Sequence, residues 1–96
     1  MATNHFVYML RCKDDTLYTG YTNNLEARLQ KHTSGKGAKY TRGRGPFNLV
    51  YCQIYKSKAE AMHNEYKMKQ LSKVEKEEWI ASHQGGCPDE YSKKLW

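Results

Sequence analysis

The sequence predicts an α/β (α+β) domain: a three-stranded, mainly antiparallel sheet flanked by three helices, in the order β-β-α-β-α-α. Three observations predict it. Two runs of β-forming residues sit either side of turn chemistry near the start, a continuous apolar and aromatic run fills the middle, and Asn or Ser stands as a helix cap before three other segments. A length of 96 residues allows one compact core and no second.

The first hairpin joins HFVYMLR, from His5 to Arg11, to LYTGYT through Lys13-Asp14-Asp15-Thr16. Asn23, with Glu26 three residues on, reads as the cap of a helix running to about Ser34, where Gly35 stops it. FNLVYCQIY, Phe47 to Tyr55, is the strongest strand signal, and its unbroken run suits a central, buried position. Ser57-Lys58-Ala59-Glu60 and Ser72-Lys73-Val74-Glu75 each spell a capping box, which gives Glu60 and Glu75 a structural task. Met62 and Tyr66 are expected on the buried side of the first of these helices. Val74, Trp79 and Ile80 mark the second, which ends near Ser82 or His83. Residues 5–82 then form the domain, and 83–96 form a tail without periodicity, open to disorder or to docking through Leu95 and Trp96.

Sixteen Lys and Arg against ten Asp and Glu give a formal charge of +6, the balance of a protein that meets a polyanion. No apolar run is long enough to span a bilayer and no secretory leader opens the chain, so a soluble, cytoplasmic protein is expected. Cys12, Cys52 and Cys87 match neither a metal-binding spacing nor a disulfide framework, and none has a recognisable nucleophile context; free thiols are expected. The charge concentrates in GKGAKYTRGRGP, Gly35 to Pro46, with Lys36, Lys39, Arg42 and Arg44. Such a loop is either solvated and idle or tracks a nucleic-acid backbone, with Tyr40 available to stack on a base.

Leu25, Arg28, Leu29 and His32 fall at i, i+3, i+4 and i+7 and share one helix face. An Arg on an apolar stripe either meets a carboxylate of its own chain or offers its planar fork to an anion. Glu65 is an ordinary i,i+4 partner of Lys69 or, functionally, the single carboxylate that a hydrated Mg²⁺ characteristically takes. Tyr8 and Tyr18 are strand aromatics of a core or paired hydroxyls of a site. Sharing a site requires the closing pair of the hairpin to enclose an odd number of residues around Asp14 and Asp15, or a bulge near it, because strand side chains alternate faces.

Val7-Tyr8, Tyr18-Thr19-Gly20, Arg28, His32 and Glu65 together resemble the GIY-YIG nuclease domain in residue type and spacing, from about residue 5 to residue 82. The chain looks most like the small stand-alone bacterial branch, an uncharacterised protein family. GKGAKYTRGRGPFNLVY is similar to the loop and third strand of the branch that cuts branched DNA. Phe6 stands where the first motif has glycine, Thr19 replaces an isoleucine, and no asparagine follows Ile80.

The resemblance implies a metal-dependent DNA endonuclease that hydrolyses phosphodiester bonds in repair or recombination. It makes Tyr8, Tyr18, Arg28, His32 and Glu65 catalytic, with Glu65 holding one Mg²⁺ or Mn²⁺. In that reading Tyr8 is the general base or holds the water, Tyr18 orients water or phosphate, Arg28 stabilises developing charge, and His32 relays a proton or binds a phosphate oxygen. DNA, whether branched, nicked or damaged, is the expected partner, bound through Lys36, Lys39, Tyr40, Arg42 and Arg44 by a monomer. Two alternatives remain in view: a nucleic-acid-binding module that does not cut, and a subunit active only with a partner protein, docked through Tyr91, Leu95 and Trp96.

Overall fold

The computed structural model describes residues 4–37, 41–83 and 96. Strand β1 spans His5–Arg11, β2 Leu17–Thr22, helix α1 Leu25–Thr33, β3 Asn48–Tyr55, α2 Lys58–Lys69 and α3 Lys73–Ser82. The expected order and α+β class are what the structure shows.

The hairpin closes through a tight turn in which the Cys12 N–H donates to the Thr16 carbonyl at 2.8 Å and the Asp15 N–H to the Cys12 carbonyl at 3.0 Å. Asp15 sits at φ 67°, in the left-handed region that Asp tolerates better than most side chains. Arg11 pairs with Leu17, so the closing pair encloses Cys12, Lys13, Asp14, Asp15 and Thr16, an odd number. Leu10 consequently faces Tyr18 across the ladder, and Tyr8, two residues from Leu10, emerges on the same face as Tyr18.

The central strand is β1, not β3: the sheet order is β2-β1-β3, with both pairings antiparallel. Val7, Tyr8, Met9 and Leu10 are all fully buried because both faces of β1 are covered. Tyr8, Leu10 and Cys12 pack with Leu25 and Leu29 of α1, while Val7 and Met9 pack with Ala61, Met68 and Ile80 of α2 and α3. The unbroken run in β3 comes from a β-bulge together with two covered faces, Cys52 packing on the α1 side and Tyr51 on the α2 and α3 side. Met9 pairs with Tyr51 but Leu10 with Leu49, so Val50 is the extra residue and the alternation flips there. Leu49 and Phe47 thereby join Cys52 on the face of Tyr8.

Local signals hold with shifts of one position. Asn24, rather than Asn23, caps α1 by accepting from the Ala27 N–H at 3.2 Å. Ser57 accepts from the Glu60 N–H, and the capping box at Ser72 and Glu75 is complete in both directions. The buried side of α2 is not the one carrying Met62 and Tyr66, which are 41% and 67% exposed. Ala61 and Met68 are buried instead, and Asn64 and Glu65 lie half-buried between them at helical spacing. The Arg11 guanidinium clasps Glu77 with both nitrogens, 2.8 Å on the Nη1 side, and ties the hairpin to α3.

Trp96 is docked. It is 6% exposed within the α1-side core, and its N–H and carbonyl exchange bonds of 2.9 and 2.6 Å with Phe47. Cys87, Tyr91 and Leu95 lie outside the described residues. Trp96→Ala is expected to lower the unfolding free energy by about 3 kcal/mol, as loss of a buried aromatic does. Urea denaturation checks this, and a loss under about 1 kcal/mol would show that the indole adds nothing to the core.

Candidate active site

Helix α1 crosses the face of the sheet that carries Tyr8 and Tyr18, held there by Leu25 and Leu29. The same stripe puts Arg28 and His32 over the two tyrosines. His32 is buried, with Nε2 2.8 Å from the Tyr8 hydroxyl and Nδ1 2.8 Å from Thr41 Oγ1. Its ring meets those of Tyr8, Tyr18 and Phe47 edge-on, at centroid distances of 5.9, 5.2 and 6.0 Å. Tyr8 and Tyr18 are 6.2 Å apart.

Two glycines make this crowding feasible. A Cβ on Gly20, the ladder partner of Tyr8, would lie 2.6 Å from the Tyr8 hydroxyl oxygen and 2.8 Å from the Tyr18 ring. On Gly37 it would lie 2.4 Å from His32 Nδ1, so only glycine lets the backbone pass there.

Burial, reinforced by Tyr18 and less strongly by the Glu65 charge, pushes the Tyr8 phenol well above its ordinary range, although Arg28 hydrogen-bonds it and pulls the other way. Burial also lowers the His32 pKa to about 4, with the Arg28 charge adding to the effect. For Arg28, burial works against the charge, but the Tyr8 and Tyr18 hydroxyls outweigh it and leave its pKa raised.

These neighbours assign the protons. Arg28 can only donate, so the Tyr8 oxygen accepts from it; in the neutral His32 tautomer that carries its proton on Nδ1, the Tyr8 O–H donates to Nε2 and the Nδ1–H donates to Thr41. Among the described residues no ion pair forms to Arg28, and its Nε is buried without a hydrogen-bond partner. Of the two options for an Arg on an apolar stripe, the carboxylate is not taken. What remains is a charged group that hydrogen-bonds the two tyrosine hydroxyls and keeps a buried Nε without a partner.

Glu65 completes the group. Its side chain is 13% exposed, its charge reaches Tyr8, and its contact with Lys69 is a long 3.6 Å. No set of three His, Cys, Asp or Glu gathers among the described residues. Among the described residues the site offers a cation the Glu65 carboxylate, whose Oε1 pairs with Lys69, and one carboxylate is the protein share that a hydrated Mg²⁺ or Mn²⁺ takes.

Residues 4–78 match the family model of the GIY-YIG catalytic domain. The chain belongs to the GIY-YIG family. GIY-YIG relatives include UPF0213 protein OB0043 of Oceanobacillus iheyensis, 62% identical over 79% of this chain and 88% of that protein. UPF0213 protein BH0048 of Halalkalibacterium halodurans is 55% identical over 96% of each. The solution structure of BH0048 superimposes with a TM-score of 0.58 at 53% identity, covering 95% of both chains. That of EF2693 from E. faecalis gives 0.60 at 33% identity over 88% of this chain and 95% of that one. A GIY-YIG chain is nuclease-like, and the small stand-alone branch is the right one. No helix among the described residues is long and apolar enough to cross a membrane.

Tyr8, Tyr18, Arg28 and His32 thus converge and the Glu65 charge acts on Tyr8, whereas the basic loop divides. Lys36 and Arg42 are exposed, Arg44 pairs with Asp14 of the hairpin turn, and Lys39 and Tyr40 lie outside the described residues. Thr41, 1% exposed, is the member that sequence reading missed. It sits in a loop without periodicity, where a single threonine gives no signal.

His32 makes the fold sensitive to acid with a definite sign. The unfolded chain takes up a proton below about pH 6.5, which the folded chain refuses until about pH 4. The stability His32 contributes is complete above that window and is lost as the pH falls through it. NMR titration should show the His32 ring neutral down to pH 5; a midpoint near 6.5 would contradict the buried Tyr8–His32 pair.

Proposed function

We propose that this protein is a metal-dependent endonuclease that hydrolyses phosphodiester bonds of branched, nicked or damaged DNA. The observation that carries the reading is Arg28: a cation with a buried, unpartnered Nε, set beside a hydrogen-bonded tyrosine and histidine. A phosphate is the anion that needs all three. The scissile phosphate would accept bidentate hydrogen bonds from Arg28, and such a preorganised contact typically takes several kcal/mol off the barrier. Tyr18, on the same face, would orient the phosphate or the attacking water.

The raised pKa of Tyr8 argues against a free phenolate as base. A relay fits better. The Tyr8 oxygen takes the proton of the attacking water as its own proton moves 2.8 Å to His32 Nε2, while Thr41 holds the ring through Nδ1. Phosphate binding also offsets the Arg28 charge, the second cause of the low His32 pKa, and so strengthens His32 as a proton acceptor when substrate is present. Glu65 would hold one Mg²⁺ or Mn²⁺, whose contribution there is to neutralise charge at the leaving oxygen. Lys36 and Arg42 would contact the DNA backbone and give shape-dependent, sequence-independent binding.

Purified protein is expected to cut labelled flap or junction DNA with Mg²⁺ or Mn²⁺ and not with chelator. Glu65→Ala should abolish cutting and Tyr8→Phe should slow it by about 10²-fold or more. Salt-sensitive binding with no metal-dependent product would instead support the module that binds without cutting.

A further inference from the structure

The outer edge of β2 faces a second group of cations that the site above does not use. A groove of about 330 Å³ there is lined by Leu17, Tyr18, Thr19, Lys69 and Lys76. It is continuous with the candidate active site, since Tyr18 belongs to both and Lys69 touches Glu65.

Three features point to an anion. Lys69 and Lys76 line one groove, and no ion pair forms to Lys76 among the described residues. Half-buried Lys76 has a lowered pKa, first from burial and then from the Lys69 charge, as expected of two ammonium groups lining one groove. Thr19 is only 3% exposed, yet its Oγ1 has no hydrogen-bond partner, a rare condition for a buried hydroxyl. Finally, β2 is an edge strand, and such a strand leaves alternate backbone N–H groups unpaired on its outer side.

We propose that this groove is a phosphate subsite, in which Lys69, Lys76 and Thr19 hold a backbone phosphate flanking the one cut beside Tyr8 and Arg28. The inference rests on the phosphodiesterase reading and adds where the strand runs: across the edge of β2, gripped on both sides of the sheet. The Lys69 contact with Glu65, at 3.6 Å, is too long for a hydrogen bond and leaves the ammonium able to turn toward the phosphate.

The test uses the full chain, with Lys76→Gln and Thr19→Val as variants. Inorganic phosphate titrated into labelled protein should shift the amide resonances of Leu17, Tyr18, Thr19 and Lys76, and Lys76→Gln should remove the response. For flap DNA bound without metal, the slope of log Kd against log salt should fall by about 0.9 in Lys76→Gln, the loss of one phosphate contact. Thr19→Val should weaken phosphate binding while keeping or raising Tm, because the hydroxyl it removes bonds nothing in the free protein. DNA binding with an unchanged slope and no groove response to phosphate overturns the subsite and leaves the nuclease reading standing. A saturable groove response without DNA binding upholds the anion site and overturns the nuclease reading.

Discussion

The structure depends on burying a hydroxyl and an imidazole in the middle of a small core. Tyr8 is the central residue of the central strand and His32 lies on the apolar face of α1, and neither can reach water to satisfy its polar atoms. The 2.8 Å bond between them, extended by the bond to Thr41, removes that cost. It also ties α1 to the central strand and to Thr41. Gly20 and Gly37 are the two places where the backbone yields to make room.

Function grows out of the same constraint. A core that buries a tyrosine and a histidine holds both neutral, as donor and acceptor, and places Arg28 where the field of neither cancels its charge. The bulge at Val50 belongs to this design too, because it turns Phe47 to the His32 side, where Trp96 seals the strand end through paired backbone bonds. Trp96 is therefore part of the wall beside His32, Thr41 and Phe47.

What was legible in the sequence was whatever followed a period or a cap. The face formed by Leu25, Arg28, Leu29 and His32 and the caps at Ser57 and Ser72 follow from short-range geometry, whereas the sequence left the parity of the hairpin open and the Arg11–Leu17 pairing makes it odd. The failures have physical causes. A bulge and two covered faces give the edge strand β3 the continuous apolar run of a central one. The buried stripe of α2 contains Asn64 and Glu65, so a search for apolar residues chose the exposed pair Met62 and Tyr66. Arg44 was counted as free for DNA, but its partner Asp14 is thirty residues away and meets it only through the fold. Thr41 has no local signature, because its importance comes from a histidine on another element.

The most direct measurement is a double-mutant cycle on single-turnover DNA cleavage, with Tyr8→Phe, His32→Ala and the pair. If Tyr8 and His32 act as one relay, the double variant should be no slower than the worse single variant. Losses that multiply would show two independent roles and contradict the relay, and a wild-type protein that cuts no DNA with either metal would contradict the active site itself.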